Sequence, residues 1–163
     1  MRKGLLLAII ISLLSAFSAH AQSTAINSGV SWLGTQSNPD GSLGNITSTT
    51  DSTRTTIAVI DTLQALSQTN TTLYNNAVSW LKSQSISTTD YLAERMFTLL
   101  SGGSDEGLLV SYIDPASGVW RGYEGYGINN LDTALALSAL KSVNYSNQTT
   151  ISNAILYLIN NWS

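Results

Sequence analysis

The sequence predicts an all-α fold of about seven helices, arranged as repeated helical hairpins. The first observation is a short motif, Val30-Ser-Trp-Leu33, which recurs 48 residues later as Val78-Ser-Trp-Leu81. The second is a longer spacing of 77 residues, which aligns Asn76–Leu81 with Asn153–Leu158 and Thr56–Leu63 with Thr133–Leu140. Recurrence at fixed spacings is typical of units that bury their apolar faces only against neighbouring units. The segments therefore predict stacked hairpins with alternately long and short linkers.

The N-terminal segment has the features of an export signal. Arg2 and Lys3 precede an apolar run from Leu5 to Leu14, and Ala19-His20-Ala21 fits a cleavage site for small residues. A retained membrane anchor is the alternative, but the apolar run is short for a membrane span. We predict a signal peptide at residues 1–21 and a mature domain at residues 22–163. The mature chain is then expected to be secreted or otherwise extracytoplasmic, in a periplasm or at a cell surface, and not in a membrane.

Composition excludes several function classes for the mature chain. The sequence contains no cysteine, and its one histidine, His20, lies in the predicted signal peptide. Nucleophilic catalysis that pairs Ser or Cys with His, and zinc sites of the thiolate or imidazole type, are therefore excluded. All ten acidic residues but only five of the seven basic residues lie beyond residue 21, which gives a formal charge of −5. An acidic chain without a basic patch argues against nucleic acid as a partner. We predict no metal and no cofactor.

The first helices follow from apolar periodicity and from turn residues. The turn Asn38-Pro-Asp-Gly41 places proline, aspartate and glycine where a type I turn favours them, and it ends the first helix. The β-branched run that begins at Thr53 fits a buried strand as well as a helix. Its repeat mate, Thr133–Leu140, is rich in Ala and Leu, so both are predicted to be helices. An amphipathic helix then starts after Asn70, taken as its N-cap.

The second half of the chain continues the same alternation. Asp90 is predicted to cap a helix that stops at Gly102-Gly103, and Ser104 opens a short helix. Asn130 is predicted to cap an apolar helix, with Asp132 in its positive first turn. The predicted helices are residues 24–36, 53–66, 70–84, 91–100, a short helix from 104, 130–140 and 150–162.

The loop from Gly118 to Asn130 is the best candidate for ligand contact. It combines glycines with three aromatic side chains, Trp120, Tyr123 and Tyr126, which are able to stack on a sugar or cover an apolar chain. Asp132, at the start of the next helix, completes the candidate binding set, whereas no catalytic residue is predicted. Structural packing of the loop is the alternative interpretation.

Four further positions are interpreted as structural because the repeat relates them. Trp32 and Trp80 fall on equivalent helix positions and are expected to pack in the core or between repeats. Gly41 and Gly118 are related by the 77-residue spacing and are expected to occupy equivalent turns.

The charged residues are given structural interpretations. Asp40 is predicted to be a turn residue, and a calcium ligand is the alternative, although acidic partners are missing nearby. Asp105 and Glu106 are adjacent, so a helix points them in different directions, and we expect helix-end charges rather than an acid–base pair. Glu94 and Arg95 are expected to lie on a solvated or lightly paired helix face.

Three motif elements together resemble the repeat of prenyltransferases and squalene cyclases, the terpenoid cyclase and protein prenyltransferase superfamily. They are Ser79-Trp-Leu-x-x-Gln84, the loops Asp40-Gly-Ser-Leu-Gly44 and Gly118-Val-Trp-Arg-Gly122, and the helix Asp132-Thr-Ala-Leu-Ala-Leu-Ser-Ala-Leu140. The resemblance covers nearly all of residues 24–163 and implies an α/α toroid with inner helices around a cavity. About seven helices would make this toroid incomplete, with the repeat domain truncated at its C-terminal end.

The functional residues of that superfamily do not carry over. An Asp-x-Asp-Asp acid cluster, a zinc site with Asp, Cys and His, and a reactive Cys-Gly-x-Gln segment are all missing from this sequence. We therefore expect an exported, non-catalytic repeat domain that acts as a scaffold or binding module. Its expected partners are further repeats or domains of a larger protein, a second copy, or a glycan or apolar ligand. The alternative is a fragment of a toroid enzyme whose catalytic acids lie outside this chain.

Overall fold

The computed structural model describes residues 23–161. The predicted signal peptide, with Gln22 and the last two residues, lies outside this part. The described part contains seven α-helices and no strand, so the all-α prediction is confirmed. Two isolated antiparallel bridges, Ile113 with Trp120 and Arg121 with Ile128, join extended segments between the helices. The helices are α1 (23–35), α2 (Thr49–Ala65), α3 (Thr72–Ser83), α4 (Thr89–Leu99), α5 (Gly103–Ser111), α6 (Asn130–Ser142) and α7 (Gln148–Asn160).

Helix starts differ from the predicted ones, and at α2, α3 and α6 a neighbouring polar side chain provides the cap, whereas Thr88 of α4 makes no capping hydrogen bond. The Ser48 side chain accepts from the Asp51 backbone N–H, and α2 therefore begins four residues before the predicted Thr53. Thr71 rather than Asn70 caps α3, and Thr88 rather than Asp90 stands at the N-cap of α4. The cap of α6 is Asn129, one residue before the predicted cap.

Helices α2, α4 and α6 form a row, and each of them contacts the helix that follows it in the chain. Contacts join α2 to α4 and α4 to α6, while α3, α5 and α7 pack on α2, α4 and α6 respectively. The guanidinium of Arg54 lies 5.2 Å from the ring centroid of Tyr91, and Gln64 Nε2 donates to the Thr98 carbonyl at 2.9 Å. The first contact joins the N-terminal halves of α2 and α4, and the second joins their C-terminal ends. The two helices therefore run parallel.

Two hydrophobic clusters hold this arrangement together. The first is built on α2 and α3, and Val30 and Leu33 of α1 pack against it. The second is built on α4, α5, α6 and α7. Burial of apolar area is the main favourable term in folding, so each cluster stabilises its own set of hairpins. The members of the first are Leu43, Ile57, Val59, Ile60, Leu63, Leu73, Ala77, Trp80 and Leu81; those of the second are Leu92, Ala93, Met96, Leu109, Val119, Trp120, Ala136, Ala139, Leu140 and Ala154.

The 77-residue spacing relates equivalent turns in space. Gly41 and Gly118 both have positive φ, +93° and +72°, and they face equivalent residues, Asn76 of α3 and Asn153 of α7. A Cβ on Gly41 would lie 2.9 Å from the Asn76 carbonyl oxygen, whereas one on Gly118 would lie 3.5 Å from Asn153 Cβ. Glycine is therefore required at the first turn for close approach as well as for φ.

A hydroxyl hydrogen bond repeats with the same spacing. Leu43 N–H donates to Thr56 Oγ1 at 2.9 Å, and Trp120 N–H donates to Thr133 Oγ1 at 3.3 Å. In both places a buried threonine on a row helix holds the extended residue that follows the turn. The internal repeat of the sequence is thus a repeat of hydrogen bonding.

The two equivalent tryptophans have different surroundings. Trp80 is buried, and its Nε1 donates to Asp40 Oδ2 at 3.0 Å. Trp32 is 61% exposed, so the expectation that it packs in the core is wrong. Leu33 contacts the first cluster instead, and Trp32 lies about 100° away from it around the helix.

Arg95 is buried, contrary to the expectation of a solvated helix face. Its Nε and Nη2 donate to the two carboxylate oxygens of Asp105, both at 2.7 Å, and its Nη1 donates to the carbonyls of Leu81 and Gln84. The side chains of Arg95 and Asp105 are only 7% and 15% exposed. Asp105 is therefore the partner of a buried cation and not a simple helix-end charge. This ion pair ties α4 to α5 and to the end of α3.

Candidate functional site

Trp120 is not available to a ligand. Its side chain is fully buried in the second cluster, and its Nε1 donates to the Leu109 carbonyl at 2.8 Å. This removes Trp120 from the candidate ligand-binding set and confirms the alternative, structural packing, at this residue. A large aromatic side chain between α5 and α6 buries more area than any loop contact would, and a carbonyl acceptor was within reach of its one polar atom.

Asp132 serves the start of α6. Its backbone N–H donates to Asn129 Oδ1 at 2.8 Å, and its carboxylate accepts from Asn129 Nδ2. Only 9% of the residue is exposed, and Gly122 packs so closely that an added Cβ would lie 2.9 Å from the carboxylate oxygen. Its carboxylate is thus committed to the helix cap, as expected for an acid at the positive end of a helix dipole.

Tyr123 and Tyr126 are the members of the predicted set that remain at the surface. They are 43% and 65% exposed, and their ring centroids lie 4.6 Å apart. The loop that carries them is fixed to the start of α4, where Thr89 N–H donates to the Gly122 carbonyl at 2.8 Å and Thr89 Oγ1 donates to the Arg121 carbonyl at 2.6 Å. These two rings form an exposed aromatic pair at the end of the row where α4 and α6 begin.

A groove that the sequence reasoning did not single out lies across the middle of the row. It has a volume of about 520 Å³ and is lined only by residues of α2, α4 and α6, one face from each helix. Most of the lining is apolar, with two hydroxyls and three charged groups. The lining residues are Arg54, Ile57, Ala58, Asp61, Ala93, Glu94, Phe97, Thr98, Leu135, Ser138 and Ala139. We call this the row groove; a volume of this size suits a small organic ligand.

Glu94 is the acidic residue of the row groove whose pKa is shifted. Partial burial raises the pKa of its carboxyl above the ordinary value, and Asp90 and Asp61 raise it further while Arg54 opposes them. Within residues 23–161 this carboxylate takes part in neither of the two ion pairs, which are Arg95 with Asp105 and Arg121 with Asp114. A half-buried carboxylate that forms no ion pair and has two acidic neighbours favours a cation or a hydrogen-bond donor at this position.

Arg54, the one cation in the lining of the row groove, makes an aromatic contact with Tyr91. Its guanidinium stacks on the Tyr91 ring, an arrangement in which the cation is attracted to the face of the ring. Burial raises the pKa of the Tyr91 hydroxyl, and the charge of Arg54 partly offsets this rise. Tyr91 therefore stays neutral near pH 7 and adds no charge beside the groove.

The signal for the row groove was present in the sequence as helical spacing. Arg54, Ile57, Ala58 and Asp61 occupy positions i, i+3, i+4 and i+7, which form one face of a helix. Such a face identifies a site only once its helix neighbours are known. Asp61 and Glu94 lie 33 residues apart, and only the pairing of α2 with α4 brings them to one groove.

The acidic residues do not assemble a metal site in the part of the chain that the structure describes, where no three His, Cys, Asp or Glu side chains come together. Asp40 instead accepts from the backbone N–H and the hydroxyl of Ser42, and these hydrogen bonds lower its pKa.

Of the helices within residues 23–161, none combines the length and the hydropathy of a membrane span.

Comparison of the sequence with protein-family models and with curated proteins, and of the fold with solved structures, gave no match. The resemblance to prenyltransferase and squalene-cyclase repeats therefore stays a prediction. Two surfaces are the candidate ligand-binding sites of this protein, namely the aromatic pair of Tyr123 and Tyr126 and the row groove.

Proposed function

We propose that this protein is a non-catalytic binding module whose row groove takes an apolar ligand that carries a cationic group. The observation that supports it most is the position of Glu94, a half-buried carboxylate outside both ion pairs, in a lining that is mostly apolar but also holds Arg54 and Asp61. Ile57, Ala58, Ala93, Phe97, Leu135 and Ala139 supply the apolar contact area.

The chemistry of the lining specifies the two ends of such a ligand. Phe97 is 57% exposed and would gain most from contact with a hydrocarbon, since each buried methylene contributes about 0.8 kcal/mol. An ammonium or guanidinium group would approach Glu94 and Asp61, the two acidic residues of the lining. A ligand of this class would lower the pKa of Glu94 towards its ordinary value, because the cation stabilises the charged form.

A matched pair of substitutions tests the site. Ala58 lines the row groove and Ala65 does not, yet both are exposed alanines of α2. With dodecylammonium as the probe in titration calorimetry on residues 22–163, we expect Ala58→Trp to weaken binding by at least about tenfold and Ala65→Trp to leave it unchanged. Equal binding by both variants would show that the groove is not the site.

Charge selectivity tests the role of Glu94. We expect Glu94→Gln to weaken dodecylammonium binding by about tenfold and to leave dodecanol binding unchanged, since only the cation loses a partner. Equal losses for both probes, or none for either, would contradict the assignment of Glu94 as the polar anchor.

The wider setting of the proposal follows from the sequence. The proposed signal peptide would deliver the module outside the cytoplasm, and the parallel row of α2 and α4 supports a toroid-like arc in which the row helices face a cavity. The exposed pair of Tyr123 and Tyr126 would offer a second surface for a glycan.

A cavity enzyme is the second candidate function, and one observation favours it. Glu94 has a raised pKa and lies in the same groove as a second carboxylate, Asp61, as a general acid requires. Turnover of a linear polyprene by the unaltered chain that disappears in Glu94→Gln would favour the enzyme. Binding without turnover supports the module.

A further inference from the structure

The edge of the molecule formed by α6 and α7 carries a second groove. It has a volume of about 600 Å³ and a lining that is largely apolar, with one charged residue, Lys141. Its apolar side chains include Ile151 and Ile155 of α7 and Leu137 of α6, and Ile155 is 45% exposed. Helix α7 contains no charged residue over its whole length. We call this surface the α6/α7 edge.

The internal repeat shows what covers the equivalent edge of α2 and α3. There Gln64 Nε2 donates to the Thr98 carbonyl near the end of α4 and also reaches the Tyr74 hydroxyl, at 2.9 and 3.1 Å. Leu99 of α4 packs against the cluster of α2 and α3. The edge of the first hairpin is thus occupied by α4, which runs parallel to α2 and places its C-terminal end at Gln64.

The same 77-residue spacing carries these positions onto the α6/α7 edge. Gln64 corresponds to Lys141 and Tyr74 to Ile151, and both of the later residues line the second groove beside Ile155. The place that α4 takes on the first hairpin is therefore empty on the second hairpin within residues 23–161.

We infer that the α6/α7 edge is a docking site for an amphipathic helix of the α4 type, supplied by a partner polypeptide. The helix would lie parallel to α6, with its apolar face on Leu137, Ile151 and Ile155. Its C-terminal end would reach Lys141, where a cation interacts favourably with the negative end of a helix dipole and with free carbonyls. Lys141 then takes the role that Gln64 has at the Thr98 carbonyl.

A second copy of this chain is a poor source of that helix. Its own α4 is packed between α2 and α6 and is tied to α5 by the buried ion pair of Arg95 with Asp105. Releasing α4 would require unfolding of the second cluster. The partner must therefore present such a helix with its apolar face free.

The test uses a synthetic peptide of residues 86–102, which includes α4, as the probe. We expect this peptide, fluorescently labelled, to bind residues 22–163 in an anisotropy titration, while a scrambled peptide of the same composition does not bind. Ile155→Glu should weaken binding by at least about tenfold, because it places a charge in the apolar contact. Ile46→Glu is the matched control, since Ile46 is 58% exposed and lies on another surface.

A second variant checks the orientation of the helix. Lys141→Glu should weaken binding more than Lys141→Met, because the reversed charge repels the C-terminal end of the docked helix. The proposal is overturned if the peptide does not bind at about 1 mM, the range of very weak affinity, or if Ile155→Glu binds like the unaltered chain. It is also overturned if sedimentation shows a dimer of this chain that Ile155→Glu disrupts, since a second copy would then cover the edge.

Discussion

Replacement of Asp105 by alanine should be among the most destabilising polar substitutions in this protein. It removes the carboxylate that accepts two hydrogen bonds at 2.7 Å from Arg95, whose side chain is only 7% exposed. Removal of one partner from a buried ion pair costs about 3–5 kcal/mol, because the other charge stays buried without compensation. Two carbonyl acceptors, from Leu81 and Gln84, remain for Arg95, so we expect a loss near the lower figure, about 3 kcal/mol.

The measurement is urea unfolding followed by circular dichroism, with the midpoint and slope compared between variants. The double variant Arg95→Met with Asp105→Ala should lose less stability than the sum of its single variants, because the buried charge is removed together with its partner. Asp114→Ala is the control, since the Arg121–Asp114 pair has the same 2.7 Å distance but is more exposed, and it should lose less than Asp105→Ala. A loss under about 1 kcal/mol for Asp105→Ala, the range of exposed pairs, would refute this reasoning.

Two further predictions concern a turn and the row groove. Gly41→Ala and Gly118→Ala should both lower the free energy of unfolding by about 1–2 kcal/mol, because each glycine has positive φ. Gly41→Ala should lose more, since its Cβ would meet the Asn76 carbonyl. Equal midpoints of urea unfolding for the two variants would contradict this. The pKa of Glu94 is raised in the folded state, so the folded state holds its proton to higher pH, and stability falls as pH rises from the ordinary pKa through the raised one. Glu94→Gln should therefore stabilise the protein at pH 7 but not below the ordinary glutamate pKa, and a gain of equal size at both pH values would disprove the shift.

The sequence predicted the helices well because periodicity and repeat spacing are local properties. Thr53–Leu66 shows the value of the repeat, since its β-branched residues alone fit a strand and the alignment with Thr133–Leu140 decided for a helix. Cap residues were misplaced by one or two positions at α3 and α4, because Ser, Thr, Asn and Asp all cap helices and several stand in a row.

The burial of individual side chains and the position of the groove depend on contacts between helices that are distant in the sequence. The burial of Trp120 depends on its contact with α5, where its Nε1 donates to the Leu109 carbonyl, and the sequence left both loop packing and ligand contact open for its three aromatic residues. The Arg95–Asp105 pair was within reach of sequence reasoning, because a turn at Gly102-Gly103 folds α5 back on α4. The row groove could not be predicted from the sequence, since Asp61 and Glu94 come to one groove only through the packing of the parallel helices α2 and α4.

The measurement that tests the central claim most directly is a titration of isotope-labelled protein, residues 22–163, with dodecylammonium, followed by backbone chemical shifts. The binding-module proposal predicts that the largest shifts fall on groove residues of all three row helices, namely Ala58, Glu94, Phe97 and Leu135. Shifts confined to Tyr123, Tyr126 and their loop would contradict it, because the ligand would then occupy the aromatic pair and leave the row groove empty.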